Sequence, residues 1–427
     1  MRLFLKNIEV INAKSPFNGQ KVDMLIKDGL VSEINPQKVG KVDQTIEAEG
    51  FKMSTSWIDM RVFSGEPGEE YREDLDSIAE VLKNGGFGHA LLMPNTNPVI
   101  QQKADIKAIL AKNKDQIVDL LPAAAISKDC LGEDINEMLD LHHAGASAFT
   151  DGSESLWNSD LMVKTLLYLQ KFNGALINFP QDRNLALFGQ MNEGPVSTGL
   201  GMKGIPNVAE EVMIQRDLEL LRYAGGKIHF SCISTEKSVS LIKLAKKEGL
   251  AVTCDVNIHH LILDDSALSN FDTNFKVLPP LRSKQDKKAL IKGINEGIID
   301  VIVSGHQPYD EDHKKMEFDL AAFGIMGAQI MYPLYYKYLS SAINLNTFIN
   351  CITINPERIL DIPERVIEVN ASVDFTIFSE DASWTFDANT NQSKSKNSPF
   401  IGEAFKADAV GLLKHSSVFF KDYLNKK

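Results

Sequence analysis

The 427-residue chain has few cysteines, no excess of positive charge, no long apolar run and no glycine-rich phosphate loop. Its four cysteines (Cys130, Cys232, Cys254, Cys351) include no CxxC pair. That excludes a disulfide framework and a thiolate zinc knuckle, and leaves reduced thiols of the cytoplasmic kind. Lys and Arg total 45 against 57 Asp and Glu, a formal net charge of −12. Proteins that live on nucleic acid or anionic lipid need a basic face, so neither partner is expected. No run approaches the ~20 apolar residues of a membrane span. Lys6 interrupts the first apolar residues before a signal-peptide core develops. The expectation is a soluble, cytoplasmic protein. Apolar residues make up 44% of the chain, enough for one large core.

Both ends show the period-two alternation of half-buried strands. It runs through Leu3–Ile11 and Val22–Ile34, and returns in Arg365–Val369, Asp374–Phe378 and Ser383–Phe386. Neither flank is self-sufficient, so residues 1–52 and 364–427 are expected to form one composite β-sandwich domain. Residues 53–363 read differently, as short apolar runs alternating with helix-length segments, the pattern of repeated βα units. Eight strands are predicted, at Trp57–Phe63, His89–Pro94, Asp119–Ile126, Ala146–Asp151, Ala175–Pro180, Lys227–Ser234, Leu250–Asn257 and Val301–His306. Helices are predicted at Tyr71–Asn84, Val208–Tyr223, Glu236–Glu248 and Lys284–Glu296, with an Asn207/Glu210 capping box opening the second. Eight strands close a (β/α)₈ barrel. An open doubly wound sheet is the competitor, but no strand is followed by a phosphate-binding loop.

Chemistry in such barrels sits at the C-terminal ends of the strands. Those positions hold Arg61 and Phe63, Asn95, Asp151, Phe179 and Asp182, Cys232 and Ser234, His259 and His260, and His306. Asn95 either orients a ligand or caps a turn. In an extended segment His259 and His260 point to opposite sides, so at least one packs away from the mouth. His306 closes its strand, but one imidazole alone makes neither a metal site nor a general base.

Several stretches, in order, carry a resemblance. They are Trp57-Ile58-Asp59-Met60, Glu66-Pro67-Gly68-Glu69-Glu70, Met93-Pro94-Asn95-Thr96, Ala148-Phe149-Thr150-Asp151 and Met191-Asn192-Glu193-Gly194. Gly204-Ile205-Pro206, His229, Ser234-Thr235, His259-His260-Leu261, Pro279-Pro280-Leu281-Arg282 and Ser393-Lys394-Ser395-Lys396-Asn397 continue it. The chain resembles dihydroorotases of the larger, multifunctional-complex type, in the amidohydrolase superfamily. The resemblance implies a metal-dependent barrel with a terminal β-sandwich. It also implies the pyrimidine-biosynthetic reaction between carbamoyl aspartate and dihydroorotate, with zinc in active members.

At the site positions the chain departs from the family. Arg61 and Phe63 stand where relatives have His-x-His, and Gly65 where they have a substrate-gripping arginine. Phe179 and Cys232 replace histidines, Leu278 an asparagine, Gly305 the catalytic aspartate and Tyr309 a further histidine. Only Asp151 and Asn95 match. Arg and Phe offer a metal no lone pair, and a glycine moves no proton. No cofactor is therefore expected, and the reading is a non-catalytic dihydroorotase-like protein. Inactive members of the family hold aspartate carbamoyltransferase in its assembly, which implies that enzyme as a partner here, together with self-association. Two alternatives stand beside it: an altered amidohydrolase with one metal on Asp151, Cys232 and His306, and a sensor in which Arg61 binds an anion.

Overall fold

The structure, a computed structural model, describes residues 1–421. Eight short parallel strands run in chain order through Trp57–Val62, Phe87–Leu92, Asp119–Ala124, Ala148–Phe149, Ile177–Asn178, Ile228–Phe230, Val252–Asn257 and Val301–Val303. The first four and the last four pair as two parallel sheets. Single bridges, Phe149 to Leu176 and Val62 to His306, join them into a closed barrel. Ile58, Met60, Leu91, Ala123, Ile177 and Val303 fill its interior. Trp57, Phe87, Leu120, Phe230 and Ile302 face outward into the layer beneath the helices. Each predicted strand is present, and several are shorter than predicted. The end of the sixth leaves the ladder after Phe230, and Cys232 adopts φ +58°. Such departures build the mouth.

The helices begin where short polar side chains meet free N–H groups. Asp74 and Ser77 form a reciprocal box at Leu75–Gly85, and Ser283 and Asp286 at Lys284–Asn295. Thr235 caps Glu236–Lys247. The expected Asn207/Glu210 box does not form. Asn207 is already helical and makes no side-chain cap bond to Val208–Ala224. Glu210 instead accepts from Ser234 N, Thr235 N and Ser238 Oγ, because burial leaves those groups no water to bond.

Strands from both ends of the chain share one sheet, in the order Ser417–Phe420, Asp408–Lys414, Asp374–Ser379, Phe51–Thr55, Arg2–Val10, Lys21–Lys27, Leu30–Ile34. Gln44–Glu47 pairs beside Arg2–Val10. Met53 opposite Ile377 marks where the two ends meet, over a core of Leu3, Leu5, Met24, Phe375 and Leu413. Arg365–Val369, expected as a strand, is irregular. Arg365 is instead drawn into ion pairs with Glu357 and Asp374. Trp384–Phe386 is a strand but pairs with Glu403–Phe405 outside the main sheet.

Candidate functional site at the barrel mouth

A bulge in the first strand aims the first two site residues. Asp59 pairs with Ala90 and Val62 with Leu92, so three steps on one strand answer two on the other. Val62 thus stays outward while Phe63 turns inward. Arg61 lies in the bulge between Asp59 and Val62, 4% exposed. Its Nη1 donates to Gly152 O and Ser231 Oγ, each at 3.3 Å. The guanidinium carbon sits 5.2 Å from the centre of the Phe63 ring and 5.5 Å from that of Phe179. Ser231 Oγ donates in turn to Asp255 Oδ2 at 3.0 Å. Asp255 also bonds His229 Nε2 at 2.9 Å and accepts from Cys232 N at 2.6 Å. His229 Nδ1 reaches Thr253 Oγ1, below the mouth. From Arg61 Nη1 through Ser231 and Asp255 to His229 the array is a continuous chain of hydrogen bonds.

Cys232 Sγ donates to Asn257 Oδ1 at 3.2 Å, and burial pushes its thiol up to about 12. It is therefore a thiol, since the thiolate is the metal-binding form. Gly305 has φ +62°, and a Cβ there would lie 2.4 Å from Asn257 Oδ1 and 3.0 Å from His259 Cε1. A side chain at this left-handed position would have to displace the Asn257 amide. His259 is buried with neither ring nitrogen bonded, and burial holds its pKa well below the usual histidine value. His260 turns away, its Nε2 3.0 Å from Pro279 O. The pair lies in a short helix, Ile258–Ile262. Both rings are buried; His260 packs away from the mouth, but the extended segment from which that was expected is a helix, so strand alternation is not the reason.

His306 closes the barrel through its carbonyl, which accepts from Phe63 N at 2.9 Å. Its ring faces Val81, Met326 and Phe386 outside the barrel, with Nε2 3.7 Å from Glu73 Oε2. Asp151 Oδ1 accepts from Ile126 N and Ser127 N, both at 2.9 Å, and Oδ2 accepts from Ser127 Oγ. Burial raises this carboxyl to about 6. Asp151, Cys232 and His306 thus do not converge as the one-metal expectation required. Among the described residues no group of three His, Cys, Asp or Glu is placed to hold a metal ion.

Asn95 is also committed to the fold. Its Nδ2 donates to Asp151 O and its Oδ1 accepts from Ser153 N, each at 3.0 Å. Gly152 packs against it with φ +66°, where a Cβ would lie 1.7 Å from Asn95 Oδ1. Both ends of the amide hold the loop after the fourth strand, so the ligand-orienting expectation gives way to a structural one. Gly65 is enclosed in a turn, its N–H donating to Glu73 O at 2.7 Å, and a Cβ there would lie 2.0 Å from Glu69 O. Tyr309 lies under the Arg72 guanidinium, 4.5 Å from the ring centre.

What remains at the mouth is a cavity of about 300 Å³, lined by Arg61, Glu154, Phe179, Leu278, Gln307 and Tyr309. A second space of about 10 Å³, enough for one water, adjoins it beside Asn257, His259 and Gly305. His259 was among the strand-end positions the sequence singled out, whereas Ser231, Glu154 and Gln307 were not predicted as site residues. All four come from different loops or strand ends, and no local motif announces their meeting. A larger cleft of about 690 Å³ opens where strands six to eight begin, beside Lys227, Lys246 and Arg358. Sites in this architecture occupy the opposite end, so the mouth is the candidate.

Known proteins bear on this geometry. A family model described as "Dihydro-orotase-like" matches residues 53–238. A dihydroorotase of Acetivibrio thermocellus is 37% identical over 423 residues, covering 98% of this chain and 99% of its own. One from Syntrophus aciditrophicus is 34% identical, covering 99% and 100%. Among solved structures, the L-hydantoinase (dihydropyrimidinase) of Arthrobacter aurescens superimposes with a TM-score of 0.85 at 20% identity, over 98% of this chain and 96% of its own. A D-hydantoinase gives 0.82 at 20%, over 99% and 96%. The hydantoinases share the fold, an amidohydrolase-type barrel with a strand-rich domain. By its identity to curated dihydroorotases along almost its whole length, the chain belongs to the dihydroorotase-like family.

Proposed function

We propose that this dihydroorotase-like barrel, of the multifunctional-complex type, does not turn over carbamoyl aspartate or dihydroorotate. Its role is structural or regulatory, as a component of an assembly with aspartate carbamoyltransferase. The observation that carries the reading is the Arg61 guanidinium lying against Phe63 and Phe179 at three positions where the resemblance puts metal-binding imidazoles. A catalytic zinc needs about three lone-pair donors and an open position. Arg61 offers a fixed positive charge instead, and the two phenyl rings offer no lone pair. Cys232 and Asp151 are held by protein partners, and His306 lies on the other side of the strand. This donor set does not fit the metal that active relatives are expected to use.

The surface supports an assembly role. Leu185, Leu187, Phe188, Val208 and Val212 are all exposed, Phe188 to 73%, beside the small cluster of Ala186, Ile205 and Ala209. Exposed apolar groups gathered on neighbouring segments mark interaction surfaces, and the Asp182 N to Ala209 O bond brings these two segments together. The test is genetic and biochemical. With this gene deleted, aspartate carbamoyltransferase is expected to lose its native assembly size and part of its activity, and the tagged chain is expected to co-purify with it. A carbamoyltransferase of unchanged size and activity in the deletion strain contradicts the assembly role.

A further inference from the structure

We propose that the Arg61 cavity is a binding site for a small monocarboxylate whose far end carries N–H donors, held there and released unchanged. The proposal rests on the non-catalytic reading above and deepens it. Arg61 is buried, yet among the described residues no carboxylate lies within ion-pair distance of it. It reaches Asp255 only through Ser231. Both protein partners of its guanidinium bond Nη1. Among the described residues Nε and Nη2 make no protein hydrogen bond. They form one edge of the planar group, with two parallel N–H vectors matching the two oxygens of a carboxylate. That guanidinium lines both the cavity of about 300 Å³ and the water-sized space beneath it.

A second, independent observation points the same way. His259 borders the lower space, fully buried, with both ring nitrogens unpartnered. Buried polar atoms are bonded in all but a few cases, so this pair calls for a water or a ligand atom. The upper end of the cavity is different in charge. Glu154 stands exposed at its rim, with Gln307 and Tyr309 also lining the wall. A second anionic group on the ligand would face that carboxylate, whereas an ammonium or amide N–H would bond it. The cavity therefore selects one carboxylate end and one donor end, and rejects a dicarboxylate of equal length.

Calorimetric titration of the full chain tests this with 4-aminobutyrate, succinate, butyrate and inorganic phosphate as probes. The expected order is 4-aminobutyrate tightest, with butyrate weaker and succinate weakest of the carboxylates. Arg61→Gln is expected to weaken 4-aminobutyrate about tenfold or more, the size of a charge-assisted bond. Glu154→Gln is expected to narrow the gap between 4-aminobutyrate and succinate. Should Arg61→Gln fold poorly, Ala322→Trp fills the cavity from its wall and is expected to abolish binding with Arg61 intact. No binding by any probe at tens of millimolar, or binding indifferent to both Arg61→Gln and Ala322→Trp, overturns the site. Succinate binding as tightly as 4-aminobutyrate overturns the assignment of the donor end, and phosphate binding tightest of all overturns the carboxylate. Turnover of dihydroorotate would overturn the non-catalytic reading, whereas absent binding without turnover overturns the site alone.

Discussion

Asp59 is a buried carboxyl in the same bulge as Arg61. Its Oδ1 accepts from Arg61 N at 3.1 Å and Ser304 N at 3.3 Å, inside the bulge that aims Arg61. Burial outweighs these bonds and pushes the carboxyl up from 3.8 to about 6. Between those values the native state binds more protons than the unfolded chain. Stability from this group therefore falls as pH rises from about 4 to about 6, and stays low above. A shift of about two units corresponds to roughly 2–3 kcal/mol. In Asp59→Asn that slope disappears, so the difference in unfolding free energy between wild type and variant should change across this window in urea titrations. A difference that stays constant from pH 4 to pH 7 contradicts the assignment. That Arg61 and Phe63 stand at a strand end was legible in the sequence. The bulge that turns both toward the mouth was not, since it depends on the pairing of Asp59 and Val62 with a strand that begins some 25 residues later.

At the scale of elements, short apolar runs alternating with helix-length segments located all eight barrel strands, because burial on both faces leaves most of their residues apolar. The ends were not legible: the sixth closes at Phe230 although Ser231–Ser234 reads as its continuation, because Cys232 turns to φ +58° and takes the chain off the ladder. Tertiary demand also redirected the Glu210 side chain from its own helix end to the start of the next βα unit. Ser234 N at 2.9 Å, Ser238 Oγ at 2.6 Å and Thr235 N at 3.2 Å all depend on that one carboxylate. Glu210→Ala leaves several buried donors unpaired and should cost about 3 kcal/mol or more, read as a lowered midpoint in thermal or urea unfolding. A loss below about 1 kcal/mol would mean the donors find other partners and the carboxylate is not the tie it appears geometrically.

For the whole molecule, scaffold and site have separate histories in the residues. The barrel closes, the terminal sheet joins both chain ends, and identity to curated dihydroorotases runs along nearly the full length. At the mouth the side chains are committed to one another and to the loops. Gly305 faces Asn257 and His259, Gly65 is locked in its turn, and Asn95 and Asp151 hold loops. Arg61, Phe63 and Phe179 lie together there and offer a metal no lone pair. The measurement that tests this most directly is turnover of dihydroorotate by the purified full chain supplied with zinc. The account predicts a rate no greater than that of buffer with the same metal. A protein-dependent rate abolished by EDTA and restored by zinc would contradict it.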